Sequence, residues 1–208
     1  EIQRLDALIA EWLNLEALRP AFSVEDTEQK LQHTVNGLSL NFTLDRVDQL
    51  MNPGSATLDE GSRLIIDYKS GGCELKDWAG ERPEQPQMPL YFLALAKNRP
   101  NTGIDALSYA QIKPGLCQFI GVSRVEGTLP EVKSLDKLGA GTSLKKEIKE
   151  WSQLRPVWEA RIAKLVGDYQ QGLAQVDPKS ASSCTYCKFT PLCRIHTRNT
   201  DKGNDINE

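Results

Sequence analysis

What the sequence lacks narrows its class first. No apolar run approaches the roughly 18 residues needed to cross a bilayer, and no basic segment followed by an apolar one opens the chain. No membrane association or secretory export is expected, and the compartment read from the sequence is the cytoplasm. An excess of positive charge is missing too: 25 Lys and Arg stand against 28 Asp and Glu, a net charge of −3. That disfavours a domain holding nucleic acid by bulk electrostatics, but not an enzyme whose basic residues line one groove. No internal repeat or low-complexity block is present. Cysteine is scarce, with none before Cys73 and three of the five between Cys184 and Cys193. An odd number clustered in this way fits metal ligation in a reducing compartment better than a disulfide framework.

What is present is ordinary for one globular domain: 208 residues, 39% hydrophobic and 25% charged, enough to bury a sizeable core. The chain opens on Glu1 rather than Met and reads as a piece of a longer protein. Residues 1–22 hold a packing helix, with Ile2, Leu5, Leu8, Ile9, Trp12, Leu13 and Leu15 at helical spacing before Pro20. Residues 23–33 predict a second, short helix with Ser23 as its N-cap, carrying Glu28 and ending near His33. Pro89 suits the first turn of a helix over 87–98, where Gln87 and Tyr91 share a face. Strands are expected at 104–112 and 117–124, completing a core over 23–124. A long helix over 144–175 follows, interrupted near Pro156, then a cysteine segment at 180–197 and a polar tail at 198–208. Trp12, Trp151 and Trp158 belong to the core by spacing, whereas Trp78, in a loop, is open to either packing or substrate contact.

The chemistry gathers on two alternating runs, Leu38 to Val47 and Arg63 to Lys69. Period-2 alternation predicts strands. The turn-rich clusters Asn52-Pro53-Gly54-Ser55 and Asp59-Glu60-Gly61-Ser62 join them into a hairpin. Such a hairpin brings Asp45 beside Asp67 and Lys69. Hard cations such as Mg²⁺ and Mn²⁺ take carboxylate oxygens, and a lysine beside them can orient water and offset charge on a phosphoryl group. Asp-x-Lys is also common on solvated strand faces, so the triplet alone is a weak signal.

The order of motifs is more specific. Leu44-Asp45-Arg46-Val47-Asp48, Ile65-Ile66-Asp67-Tyr68-Lys69-Ser70-Gly71, Gln87-x3-Tyr91 and Cys184-x2-Cys187-x5-Cys193 follow one another at these intervals. This set resembles the RecB-like branch of the PD-(D/E)XK nuclease superfamily, nearest to AddB-type helicase–nuclease proteins and iron–sulfur CRISPR-adaptation nucleases. The resemblance covers residues 20–196 and implies an α/β, restriction-endonuclease-like core: a central mixed sheet flanked by helices. It implies Asp45, Asp67 and the Tyr68 carbonyl as ligands of Mg²⁺ or Mn²⁺, Lys69 as the catalytic lysine, and Glu28 as an upstream acidic residue. Gln87 and Tyr91 would contact DNA or order the site, and Asp48 would support it. Phe42 stands where the family often has glycine.

In the resembled branch the three clustered cysteines join an upstream fourth to hold a [4Fe–4S] cluster. Here the fourth ligand would have to precede Glu1. A closed Zn²⁺ site of Cys184, Cys187, Cys193 and His196 is the alternative, and three metal-free thiols the third reading. The function implied is metal-dependent DNA hydrolysis in repair or recombination, exonucleolytic rather than endonucleolytic, beside a helicase partner. The rival is an inactive nuclease fold that binds DNA or serves as a scaffold.

Overall fold

The computed structural model describes residues 2–51, 61–100, 102–179, 181–185 and 187–193. The chain divides into two compact units, residues 1–166 and 167–208.

The first unit is built on a mixed sheet of five strands in sequence order: β1 (Phe22–Val35), β2 (Leu38–Leu50), β3 (Arg63–Lys69), β4 (Ile104–Lys113) and β5 (Leu116–Ser123). All neighbours are antiparallel except β3 and β4. A parallel pair needs a crossover, and α2 (Gln87–Asn98) supplies it. One sheet face packs α1 (Ile2–Glu16) through Trp12 onto Leu64, Ile66 and Phe119. The other carries Ile65, Leu107 and Tyr109 against α2 and against Leu154, Trp158 and Ile162 of α4 (Leu154–Gln170). The expected mixed sheet with helices on both faces is therefore what the chain adopts, consistent with a restriction-endonuclease-like core. Gly121 explains how closely β5 lies on β4, since a Cβ there would sit 2.2 Å from the Leu107 carbonyl oxygen.

Two expectations are corrected. Residues 23–33 are strand, not helix: β1 pairs with β2 along its whole length, from Phe22–Leu50 to Val35–Leu38. Asn36 and Gly37 close that pair with φ of 49° and 80°, the positive values a two-residue type I′ turn demands. His33 thus lies within a strand, and burial followed by the nearby Lys97 holds its imidazole below the usual value. The C-terminal helix is divided into α3 (Ser143–Glu147), a 3₁₀ turn at Trp151–Gln153 and α4. Pro156 does not interrupt α4; it occupies its first turn, where a missing N–H costs nothing. Of the two roles open to Trp78, packing is the one observed: it is fully buried against Tyr109.

The second unit carries a 3₁₀ turn at Ala181–Cys184 and a one-turn helix, α5 (Thr190–Cys193). The Cys187 N–H donates to the Cys184 carbonyl at 3.2 Å. His196, the 198–208 tail and the 52–60 connection lie outside the described residues. Among the described residues no helix is long and apolar enough to cross a membrane.

Candidate active site

Strand β2 is longer than the partner it shares with β3. Their ladder runs from Gln49–Arg63 to Arg46–Ile66 and stops. The next rung would set Asp45 opposite Asp67. There the Asp45 carboxylate replaces the ladder, accepting the Tyr68 N–H at 2.9 Å. Strict alternation also fails here, because Leu44 and Val47 are both fully buried in the same cluster. Local irregularity of this kind bends a strand and re-aims its side chains.

Asp67 is only 1% exposed. Its Oδ2 lies 2.6 Å from Lys69 Nζ, yet that oxygen is buried without a hydrogen bond of good geometry. Burial pushes the carboxyl above its usual range, the Lys69 ammonium opposes this, and the Asp45 charge adds to it. Lys69 Nζ donates onward to Gln87 Oε1 at 2.8 Å. Gln87 Nε2 meets the Tyr91 hydroxyl at 2.5 Å, and that hydroxyl donates to the Thr43 carbonyl at 2.6 Å. The relay ties β3 to α2 and α2 back to β2. Burial, opposed by Gln87 and reinforced by Asp67, Asp45 and Glu28, raises the Tyr91 phenol to about 12.

Glu28 joins the group from an unexpected element. It sits on β1 between the rungs Thr27–Arg46 and Gln29–Leu44, hence across from Asp45. Its φ of 49° is unusual for a residue with a side chain. On the opposite face of β3, Tyr68 packs its ring against Trp12 with centroids 5.9 Å apart. Asp48 is buried there between Arg19 and Arg46, at 2.6 and 2.7 Å. The structure therefore brings Asp45, Asp67, Lys69, Gln87, Tyr91 and Glu28 to one end of the sheet and sets Asp48 aside.

A family model described as the PD-(D/E)XK nuclease superfamily matches residues 2–194. This chain belongs to the PD-(D/E)XK nuclease superfamily. The pattern that gives the superfamily its name stands at Asp67-Tyr68-Lys69, and membership points to nuclease activity. No curated protein matches the chain. Among solved structures, the crystal structure of SSO0001 matches at 17% identity over 89% of this chain and 68% of that one, with a TM-score of 0.41.

For a PD-(D/E)XK nuclease, the donors offered at this end of the sheet are carboxylate oxygens, the kind a hard divalent cation takes. Among the described residues no three or more of His, Cys, Asp and Glu are gathered closely enough to hold a metal. Cys184, Cys187 and Cys193 form no disulfide, and the described residues do not assemble them into a cluster site. Sequence reasoning missed Tyr109 and Gln111, the β4 residues opposite Asp67 and Lys69. Gln111 Nε2 holds the Gly71 carbonyl at 2.6 Å and so anchors the loop leaving the site. Their only signal was that Tyr109, Gln111 and Lys113 fall at every second position along the strand.

Proposed function

We propose that this chain is a divalent-metal-dependent deoxyribonuclease of the RecB-like kind. Its action would be exonucleolytic, beside a helicase in DNA repair or recombination. The reading rests on Asp67, a buried carboxylate with an under-bonded oxygen, set next to Asp45 and paired with a lysine. Folding does not ordinarily leave such a group unless something else completes it.

The residues present fit a hard cation: Asp45, Asp67 and the Tyr68 carbonyl would hold Mg²⁺ or Mn²⁺. When bound, the ion polarises the scissile phosphoryl group and offsets its developing charge. Lys69, oriented by Gln87, is placed to position the attacking water and to stabilise the same charge. Tyr91 locks the Gln87 amide by spending its one proton on Thr43, and Glu28 adds negative potential beside Asp45. DNA phosphates would enter where the β2–β3 ladder ends. The RecB-like branch and the helicase are supported by motif order. The same order supports Cys184, Cys187 and Cys193 as ligands of a [4Fe–4S] cluster, with Zn²⁺ and His196 as the alternative. Elemental analysis separates the two, finding iron with labile sulfide in the first case and zinc in the second.

The test is cleavage of single- and double-stranded DNA with Mg²⁺ or Mn²⁺ by the wild type and by Asp67→Ala. The wild type is expected to cut and to stop on chelation, and Asp67→Ala to lose about 10³-fold in rate. Equal, negligible cleavage by both proteins would favour the scaffold.

A further inference from the structure

Tyr109 stands directly across the parallel ladder from Asp67. It is 0% exposed, with its ring edge-on to Trp78 at a centroid distance of 5.1 Å. Lys69 Nζ lies 5.5 Å from the centre of the Tyr109 ring. The buried hydroxyl faces the Trp78 indole N–H but makes no hydrogen bond of good geometry among the described residues. That hydroxyl is turned to Trp78, and the part of Tyr109 that meets Lys69 is its aromatic face. What it gives the site is the ring.

Three neighbours therefore fix the Lys69 ammonium: Asp67 at 2.6 Å, Gln87 at 2.8 Å and the aromatic face of Tyr109. The first is a group assigned above to a cation and so is only partly at the disposal of the lysine. The other two remain. A cation within about 6 Å of an aromatic centroid is attracted to the ring, and more strongly where water is scarce.

We propose that Tyr109 is a positioning residue for Lys69, its ring holding the ammonium toward the reacting phosphate from the β4 side of the sheet. This rests on the nuclease reading of Lys69. Tyr109→Phe keeps the ring and removes only the poorly bonded hydroxyl. It is expected to retain kcat within about twofold and to melt no lower than the wild type. Tyr109→Leu keeps an apolar filler and removes the ring. Its kcat is expected to fall about tenfold while KM for DNA stays within about twofold, because the loss is felt in the transition state. Trp158→Leu, in the same core but away from Lys69, controls for lost packing and is expected to keep kcat below its own melting range.

Wild-type kcat in Tyr109→Leu would overturn the proposal, and so would an equal loss in Tyr109→Phe. A second readout needs no activity: the ε-CH₂ signals of Lys69 in ¹³C-lysine-labelled protein, assigned through Lys69→Arg. A ring-current shift is expected in the wild type and in Tyr109→Phe, and its loss in Tyr109→Leu. An unshifted wild-type signal overturns the proposal, even if Tyr109→Leu fails to fold. A wild type that does not cut DNA but shows the shift rejects the nuclease reading and leaves the ring–ammonium contact standing.

Discussion

Asp48 and Asp67 are the same residue type, equally buried, on neighbouring strands of one sheet. Their surroundings could hardly differ more. Asp48 receives two guanidinium groups, Arg19 at 2.6 Å and Arg46 at 2.7 Å, and Arg46 also reaches Glu16 and the Tyr68 hydroxyl. Asp67 has one ammonium at 2.6 Å, and that oxygen lacks a properly formed hydrogen bond. Burial is common to both, so burial does not separate a structural acid from a chemical one. Saturation does. A carboxylate whose lone pairs are spent within the protein fastens α1 to the sheet, and one with valence to spare can bind something else.

The comparison can be broken most decisively through stability. Asp48→Ala removes the buried acceptor shared by two guanidinium groups, leaving them Glu16 as their remaining carboxylate, and is expected to cost about 3 kcal/mol in urea unfolding. Asp67→Ala removes an under-paired buried charge and should change stability by less than about 1 kcal/mol, or raise it. Equal losses in the two variants would erase the distinction. A smaller effect is expected at Glu25, which resembles Asp48 in being satisfied. Hydrogen bonds from Arg63 hold its carboxyl below the ordinary value of 4.5 against the opposing effect of burial. A lowered carboxyl stabilises the fold above its unfolded value and ceases to do so as pH falls through its folded one. Glu25→Gln should therefore be the less stable protein at pH 7, with the gap closing as pH falls below about 4.5. A gap independent of pH would assign the loss to packing instead. The smallest change is Tyr68→Phe, which deletes the hydrogen bond from Arg46 at 2.9 Å. It should cost at most about 1 kcal/mol and leave DNA cleavage unaltered.

Much of the site was legible because period-2 and i, i+4 spacing act over short distances: Asp67 with Lys69, Gln87 with Tyr91. Asp45 could be added because two alternating runs imply a hairpin. The first strand was not legible in the same way. Ser23 to His33 is polar and free of clean alternation, and its β-bulge near Glu25 and left-handed Glu28 disturb whatever period it has. Pairing with β2 overrides its local preference. Asn36-Gly37, a strong hairpin signal, lay in plain view but was masked by the helical reading before it. Tyr109 was hidden for the opposite reason, being one aromatic in a buried strand where aromatics are unremarkable. Only the parallel register, a non-local property, sets it against Asp67.

The overhang of β2 beyond β3 has a consequence for how this protein can vary. Between the Asn36-Gly37 tip and Asp45, β2 pairs with no strand but β1. Residues could be added there in matched pairs, two on each strand, and the ribbon would lengthen with every side chain still on its own face. A single added residue would turn over everything between the tip and the insertion. The tip is thus a natural grafting point, where a longer arm or a foreign recognition loop could be carried without disturbing the end of the sheet that holds Asp45.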